Sequence, residues 1–205
     1  MGKTAVIFPG QGAQYPGMGR DFFEKYPEAR MIYELAGTAA GLDVKELCFT
    51  ENERLNITEY TQIAMLATEV AIYTCAAAAG LKADVCAGLS LGEYGALAAA
   101  KVMSYTDLFQ IIRKRGILMQ EAYPEGGAMT AVLGMDGEAI ETVLKNAEGE
   151  VSIANYNCPG QIVITGEKTA VDQASLVLKE AGARKCIPLK VSGPFHSRLL
   201  SNAGE

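Results

Sequence analysis

The sequence is poor in the features that build a disulfide framework, a structural zinc site or a membrane anchor. Its 205 residues include five cysteines, an odd number, and no two of them form a Cys-x-x-Cys pair. This usage argues against a disulfide scaffold and a zinc site and is typical of a reducing cytosol. The apolar run at residues 4–8 is too short for a secretory signal, and we identify no run near the roughly 18–20 apolar residues of a membrane span. We expect a cytoplasmic protein without a membrane partner.

Positive charge is also scarce. The chain has 18 Lys and Arg residues against 24 Asp and Glu residues, which gives a net charge of −6. An acidic balance disfavours binding to a nucleic-acid backbone, so we expect no nucleic-acid partner. The 49% hydrophobic content is high enough to bury a core, which excludes a disordered chain.

The first 124 residues alternate strands with helices, and this order predicts an α/β domain with a parallel sheet. Glycine-rich loops follow both predicted strands and precede the helices after them. The predicted strands cover residues 4–8 and 83–87, and helical periodicity covers residues 18–40, 61–79, 93–101 and 105–122.

A second pattern begins after the Pro-Glu-Gly-Gly stretch at residues 124–127. Residues 125–190 predict the order β-α-β-β-α-β, which is the split βαβ or ferredoxin-like arrangement. We interpret this segment as a subdomain inserted into the larger domain. Residues 191–205 would then return to the first domain.

The strongest motif for chemistry lies at residues 88–92, which read Gly-Leu-Ser-Leu-Gly. It matches the Gly-x-Ser-x-Gly turn, in the context of a strand before it and a helix after it. Such a turn holds the hydroxyl of Ser90 at a helix N-terminus, where backbone N–H groups favour developing negative charge. The alternative interpretation is an ordinary glycine-rich turn. We hypothesise that Ser90 is a nucleophile.

A nucleophilic serine needs a general base, and the chain has one histidine, His196. A single histidine is often a surface or core residue without a catalytic role. If an imidazole activates Ser90, however, His196 is the one residue able to supply it.

Backbone groups and a cation complete the predicted site. The N–H groups of Gln11, after the first strand, and Leu91, after the serine, are candidates for an oxyanion hole. A plain turn is the alternative for Gln11. Arg113 and Lys114 fit a solvated helix face, whereas a buried Arg115 could hold a substrate carboxylate through two parallel hydrogen bonds.

These motifs resemble the malonyl-CoA:acyl-carrier-protein transacylases of fatty-acid synthesis. The matching segments keep the order of that family and span essentially the whole chain. They are residues 8–14 (Phe-Pro-Gly-Gln-Gly-Ala-Gln), 61–64 (Thr-Gln-Ile-Ala), 88–93, 115–116 with 119–120, 154–155 with 159–161, and 193–197 (Gly-Pro-Phe-His-Ser).

The resemblance implies an α/β-hydrolase-like catalytic domain, of which residues 1–124 form the first part, and a ferredoxin-like subdomain at residues 125–190. At residues 191–205 the chain would return to the catalytic domain, and this part is truncated relative to the family. It implies an acyltransferase that moves malonyl from malonyl-CoA to acyl carrier protein through a malonyl-serine. In this scheme Ser90 and His196 are catalytic, Gln11 and Leu91 form the oxyanion hole, and no metal or cofactor beyond the substrates is needed. The residues assigned to substrate binding are Arg115, Phe195, Met119 and Asn155.

The resemblance also shows departures that keep other functions open. Leu89 stands where the family usually has histidine, and about a third of the usual chain length is missing. A serine hydrolase, such as a thioesterase or an esterase, would use the same serine and histidine and end with water. A truncated inactive relative is the non-enzymatic alternative. An uncovered apolar flank would favour self-association or a complementing C-terminal segment.

Overall fold

The computed structural model describes residues 2–191 and 193–204, so Met1, Ser192 and Glu205 lie outside the described residues. The chain divides into two compact units, the first ending at Ile117 and the second beginning at Leu118. The predicted domain ranges 1–124, 125–190 and 191–205 include the three residues outside the description, and these ranges stay predictions.

The first unit is built around a parallel pair of strands. Its elements, in chain order, are β1 (Ala5–Phe8), α1 (Arg20–Lys25), α2 (Pro27–Ala40), α3 (Val44–Phe49), a 3-10 helix (Glu53–Asn56), α4 (Thr58–Ala78), β2 (Val85–Gly88), α5 (Gly92–Ala99) and α6 (Tyr105–Ala122), which continues into the second unit. β1 and β2 pair in parallel with Phe8 opposite Gly88, which confirms the predicted parallel pairing. The loops that follow both strands therefore start at the same edge of the sheet.

The predicted single helix over residues 18–40 is wrong, because the structure has two helices there. Tyr26 is extended, with φ −116° and ψ 126°, and it separates α1 from α2. The cause is Pro27, which has no N–H to continue the first helix and forces the preceding residue out of the helical region. The predicted end of the helical stretch after residue 40 is confirmed, because α2 ends there and Gly41 has a left-handed φ of 65°.

Helix α4 is the central helix of the first unit and packs against α2 and α5. By length and composition alone it could cross a membrane, which the count of consecutive apolar residues did not detect, yet 67% of its most apolar stretch is buried inside the protein. The buried apolar face includes Ile63, Leu66 and Val70. Several polar side chains of the same helix are buried as well, among them Gln62 and Glu69.

The second unit contains a four-stranded antiparallel sheet in the order β4-β5-β3-β6. Its elements are β3 (Gly127–Leu133), α7 (Gly137–Leu144), β4 (Val151–Cys158), β5 (Gln161–Glu167), α8 (Lys168–Glu180), β6 (Lys185–Pro188) and a final 3-10 helix (Arg198–Ala203). Alternate side chains point to opposite faces. Val132 and Ile164 pack with residues of α7 and α8 on one face, whereas Met129 and Val163 belong to a separate cluster that includes Phe195.

The N-terminus of helix α7 offers a stability test in the second unit. The Asp136 carboxylate accepts a hydrogen bond of 2.8 Å from the Ala139 N–H. Asp136→Ala leaves that N–H without its cap and is expected to lower the free energy of unfolding by about 1 kcal/mol. Urea unfolding measures this loss. Asp136→Ser keeps a capping oxygen and should restore most of the stability, so equal losses in both variants would contradict the capping role.

Candidate active site

Ser90 occupies a sharp turn between β2 and α5. Its φ is +53°, in the left-handed region that non-glycine residues rarely adopt. The strand ends at Gly88 and the helix begins at Gly92, so the whole reversal takes three residues. This is the strand-turn-helix context that the sequence predicted for Ser90.

The two glycines of the turn are required by space. A Cβ on Gly88 would lie 2.0 Å from the carbonyl carbon and oxygen of Gly92, and a Cβ on Gly92 would lie 2.3 Å from the carbonyl oxygen of Phe8. These neighbours are backbone atoms, which cannot move aside as a flexible side chain can. The Gly-x-Ser-x-Gly spacing is thus a direct consequence of close packing between β1, β2 and α5.

Two backbone N–H groups near this turn have no acceptor within the described residues. They belong to Gln11, which follows β1, and Leu91, which precedes α5. The Leu91 N–H lies at the N-terminus of α5, where an unpaired N–H is suited to bind an anion, and the Gln11 N–H belongs to a turn. The side chain of Gln11 is held by a 3.3 Å hydrogen bond from its Nε2 to the Thr58 hydroxyl.

Arg115 lies beside the nucleophile candidate. Its Nη2 donates a 3.2 Å hydrogen bond to Ser90 Oγ, and its Nη1 donates a 2.6 Å hydrogen bond to Gln62 Oε1. The guanidinium carbon lies 5.6 Å from the centre of the Tyr94 ring. Burial lowers the pKa of Arg115 from its usual value, but an arginine remains cationic at neutral pH. A half-buried cation is therefore fixed next to the hydroxyl.

Close helix packing brings Arg115 to this position. A Cβ on the next residue, Gly116, would lie 3.0 Å from the Cα of Glu59, so α6 approaches the first turn of α4 closely. On the same helix Lys114 is exposed, as predicted for a solvated face. Arg113 differs from that prediction, because it is largely buried and forms a 3.0 Å ion pair with Glu59.

Gln62 is a site residue that the role assignments from the sequence missed. It is fully buried on α4 and its side-chain oxygen accepts from Arg115. Helical periodicity places Gln62 on the buried face of α4. A polar amide at such an apolar position was the one signal that Gln62 meets another polar group. Because a buried amide needs a partner, Gln62 also fixes one edge of the guanidinium.

His196 belongs to the second unit, where it is an exposed residue of a turn with φ +60°. The turn is closed by Ser197, whose Oγ donates a 2.6 Å hydrogen bond to the Pro194 carbonyl. Pro194 in turn packs on the start of β3, since a Cβ on Gly127 would lie 2.3 Å from its Cδ. The backbone around His196 is therefore well supported, and its role as a base stays a prediction.

The other predicted substrate-binding residues also lie in the second unit. Phe195 and Met119 are buried, 6% and 8% exposed, in one cluster with Met129. Asn155 is half-buried on β4 directly after a register shift and lies opposite Val163. Phe195 and Met119 thus pack in a hydrophobic cluster, and binding of substrate by these three residues stays a prediction.

Leu89 is an exposed apolar residue beside the nucleophile candidate. Half of its surface is accessible, and its side chain covers Gly10, whose Cβ would lie 3.4 Å from Leu89 Cγ. Its N–H donates to the Phe8 carbonyl at 3.2 Å. Leu89 thus lines the space between the two glycine-rich loops.

All five cysteines are free thiols. Among residues 2–191 and 193–204, no group of three or more His, Cys, Asp or Glu side chains is placed to hold a metal ion.

Comparison with known proteins assigns the family. The family model described as "Acyl transferase domain" matches residues 5–205. The chain belongs to the acyl transferase domain family. It is 45% identical over 210 residues to the malonyl CoA-acyl carrier protein transacylase of Bacillus subtilis (strain 168), and it covers 66% of that protein. The same share holds for the transacylase of Staphylococcus aureus (strain COL), at 45% identity. The chain thus spans about two thirds of the length of these relatives.

Solved structures of transacylases share this α/β fold. The crystal structure of the Streptococcus pneumoniae enzyme superposes with a TM-score of 0.92 at 50% identity, covering 98% of this acyl transferase chain and 67% of that chain. A malonyl-transacylase in complex with a type II polyketide-synthase acyl-carrier protein gives a TM-score of 0.94 at 40% identity, with 98% and 67% covered.

Proposed function

We propose that the chain transfers a malonyl group from malonyl-CoA to the phosphopantetheine thiol of acyl carrier protein through a malonyl-serine intermediate. The observation that carries this proposal is the 3.2 Å hydrogen bond between Arg115 and Ser90. A malonyl group esterified to Ser90 can place its free carboxylate on the guanidinium, whereas an acetyl group has no carboxylate to place there. The names of the relatives in Bacillus subtilis and Streptococcus pneumoniae support the same activity.

The proposed reaction has two half-reactions. Ser90 Oγ bonds to the thioester carbonyl carbon of malonyl-CoA while His196 takes the hydroxyl proton. The N–H groups of Gln11 and Leu91 stabilise the negative oxygen of the tetrahedral intermediate. The C–S bond then breaks, and the CoA thiolate receives the proton from His196. In the second half-reaction the carrier-protein thiol gives its proton to His196 and its sulfur bonds to the carbonyl carbon of the acyl-serine. The ester bond to Ser90 Oγ then breaks, and Oγ takes the proton back from His196.

The strand order and the serine turn also support a proposal for the fold of the two regions. The strand order β4-β5-β3-β6 with two intervening helices agrees with a ferredoxin-like subdomain at residues 125–190. The parallel β1–β2 pair with its serine turn agrees with an α/β-hydrolase-like domain formed by residues 1–124 and 191–205. In the subdomain Arg184, Lys185 and Lys190 are exposed, and these cations are candidates to dock an acidic carrier protein.

The proposed acyl-serine can be observed directly. The purified chain is expected to gain one malonyl group by intact-mass spectrometry after mixing with malonyl-CoA, because Ser90 Oγ forms a stable ester. Added pantetheine should remove the adduct as malonyl-pantetheine. Ser90→Ala should form no adduct, whereas Ser175→Ala, which removes a hydroxyl bonded to the Val171 carbonyl, should form it normally.

Two outcomes would contradict the proposal. Release of the adduct as free malonate, without malonyl-pantetheine, would favour a serine hydrolase. An unmodified wild-type chain at every malonyl-CoA concentration would exclude catalysis by this chain.

A further inference from the structure

Glu69 is a buried acid that the proposed chemistry does not use. Its side chain lies on α4 and the residue is 8% exposed. Neither carboxyl oxygen is accessible, and neither has a hydrogen-bond partner in the described structure. Buried polar groups are normally paired, because burial without a partner is costly. An acid in this position therefore calls for a specific explanation.

The carboxyl group of Glu69 occupies space at the base of the serine turn. A Cβ on Gly95 would lie 2.7 Å from Glu69 Oε2 and 2.5 Å from the Cδ1 atom of Phe8. The carboxyl and the Phe8 ring thus fill the space left by the absent side chain of Gly95. Phe8 ends β1, before the loop with Gln11, and Gly95 lies on α5, the helix that follows Leu91. Glu69 thus lies beside α5, and with Phe8 of β1 it lines one cavity, next to both elements that lead to the candidate oxyanion N–H groups.

The surroundings favour a neutral carboxyl. Burial alone raises the pKa of Glu69 from 4.5 to about 8. Titratable neighbours come from several elements. Tyr15 and Tyr73 line, together with Glu69, a cavity of about 300 Å³. Tyr33 and Cys48 contact Thr68, the residue before Glu69, and Glu93 and Tyr94 lie on α5. None of these groups is a cation. Burial also raises the pKa of Tyr33, Tyr73 and Cys48, so they are neutral when Glu69 ionises.

We propose that the protonated carboxyl of Glu69 is a positioning group that holds β1 and α5 together beneath the serine turn, and that its ionisation reversibly lowers acylation of Ser90. A neutral carboxyl fits between the Phe8 ring and Gly95. Within the described residues no group donates a hydrogen bond to this carboxyl, so a carboxylate there must reach water, and we expect it to turn into the cavity that Glu69 lines. Phe8 and α5 then lose the packing that sets the positions of Gln11 and Leu91. The effect on acylation rests on the proposed function.

The test compares the wild-type chain with Glu69→Gln, which has nearly the same shape and cannot ionise. The rate of Ser90 acylation by malonyl-CoA is measured by intact mass between about pH 7 and about pH 9. The wild-type rate should fall about 10-fold, in proportion to the protonated fraction of a group with a pKa near 8. The Glu69→Gln rate should change less than about twofold over that range. Equal decreases in both proteins would overturn the inference.

A second measurement does not depend on activity. The folded-state pKa of Glu69 is raised above its unfolded value of 4.5, so this group's contribution to stability is greatest below pH 4.5 and is lost as the pH rises through about 8. Urea unfolding should show wild-type stability falling relative to Glu69→Gln over that interval, and equal pH dependence would contradict the inference.

The two tests separate the inference from the proposed function. An unacylated wild type whose stability follows the expected pH dependence would remove the proposed function and leave the Glu69 ionisation in place. A ¹³C NMR titration of the wild-type glutamate Cδ carbons covers the case in which Glu69→Gln does not fold. One carbon should titrate near pH 8, and its absence would overturn the inference.

Discussion

Arg115→Ala is expected to lower the preference for malonyl over acetyl groups by about 100-fold or more. The guanidinium contacts Ser90 Oγ, and it is fixed on its other edge by Gln62. Two charge-assisted hydrogen bonds to a carboxylate disappear in the alanine variant, whereas an acetyl group has no carboxylate to lose. The ratio of Ser90 acylation rates from malonyl-CoA and acetyl-CoA, measured by intact mass, reports this selectivity.

Arg113→Ala is the matched control for this prediction. Arg113 lies on the same helix but bonds to Glu59, so its loss should leave the malonyl preference unchanged. Arg115→Lys should give an intermediate ratio, because a lysine keeps the charge without the planar pair of donors. An unchanged ratio in Arg115→Ala would show that the carboxylate binds elsewhere.

Gly88→Ala is expected to destabilise the first unit by more than about 3 kcal/mol and to abolish acylation. Its Cβ would lie 2.0 Å from the backbone of Gly92, and relief requires a shift of β2 or of α5. Either shift moves Ser90 and the Leu91 N–H. Urea unfolding followed by far-ultraviolet circular dichroism measures the loss of stability.

Gly2→Ala controls for the change from glycine to alanine itself. A Cβ at Gly2 meets no atom within 4 Å, so stability should stay within about 0.5 kcal/mol of the wild type. A Gly88→Ala protein with wild-type stability would show that the serine turn is less tightly packed than the structure indicates.

The sequence predicted the structure best where close packing allows only glycine or where strands and helices alternate clearly. Glycines at 88 and 92 predicted the turn at Ser90, because only glycine fits the close approach to backbone atoms. The alternation of strands and helices predicted the parallel pairing of β1 with β2, which the structure confirms. Arg115 stood out in the sequence as a cation on an apolar helix. The structure places its half-buried guanidinium within hydrogen-bonding distance of Ser90.

Short elements and buried polar residues were harder to predict. A proline disfavours a helical conformation in the residue before it, so Pro27 signals a break at Tyr26. The apolar periodicity on both sides nevertheless suggested one continuous helix. Helix α3 has six residues, which are too few to show a helical periodicity in the sequence. Its N-terminus is capped by a hydrogen bond from the Glu46 N–H to the Asp43 carboxylate.

Gln62 and Glu69 show a more general limit. Both occupy buried positions on α4, where the helical period gives no sign of which neighbour a polar side chain will meet. The groups that they meet lie far along the chain: Arg115 of α6 for Gln62, and Phe8 of β1 and Gly95 of α5 for Glu69. Only the tertiary packing of these elements shows that one contacts Arg115 and the other lies beneath the serine turn.

Peptide mapping by mass spectrometry after brief incubation with malonyl-CoA shows which residue carries the malonyl group. We expect one malonylated peptide, the one that contains Ser90, and no such peptide in Ser90→Ala. An unmodified Ser90, or modification confined to other residues such as the exposed Cys158, would show that Ser90 is not the nucleophile.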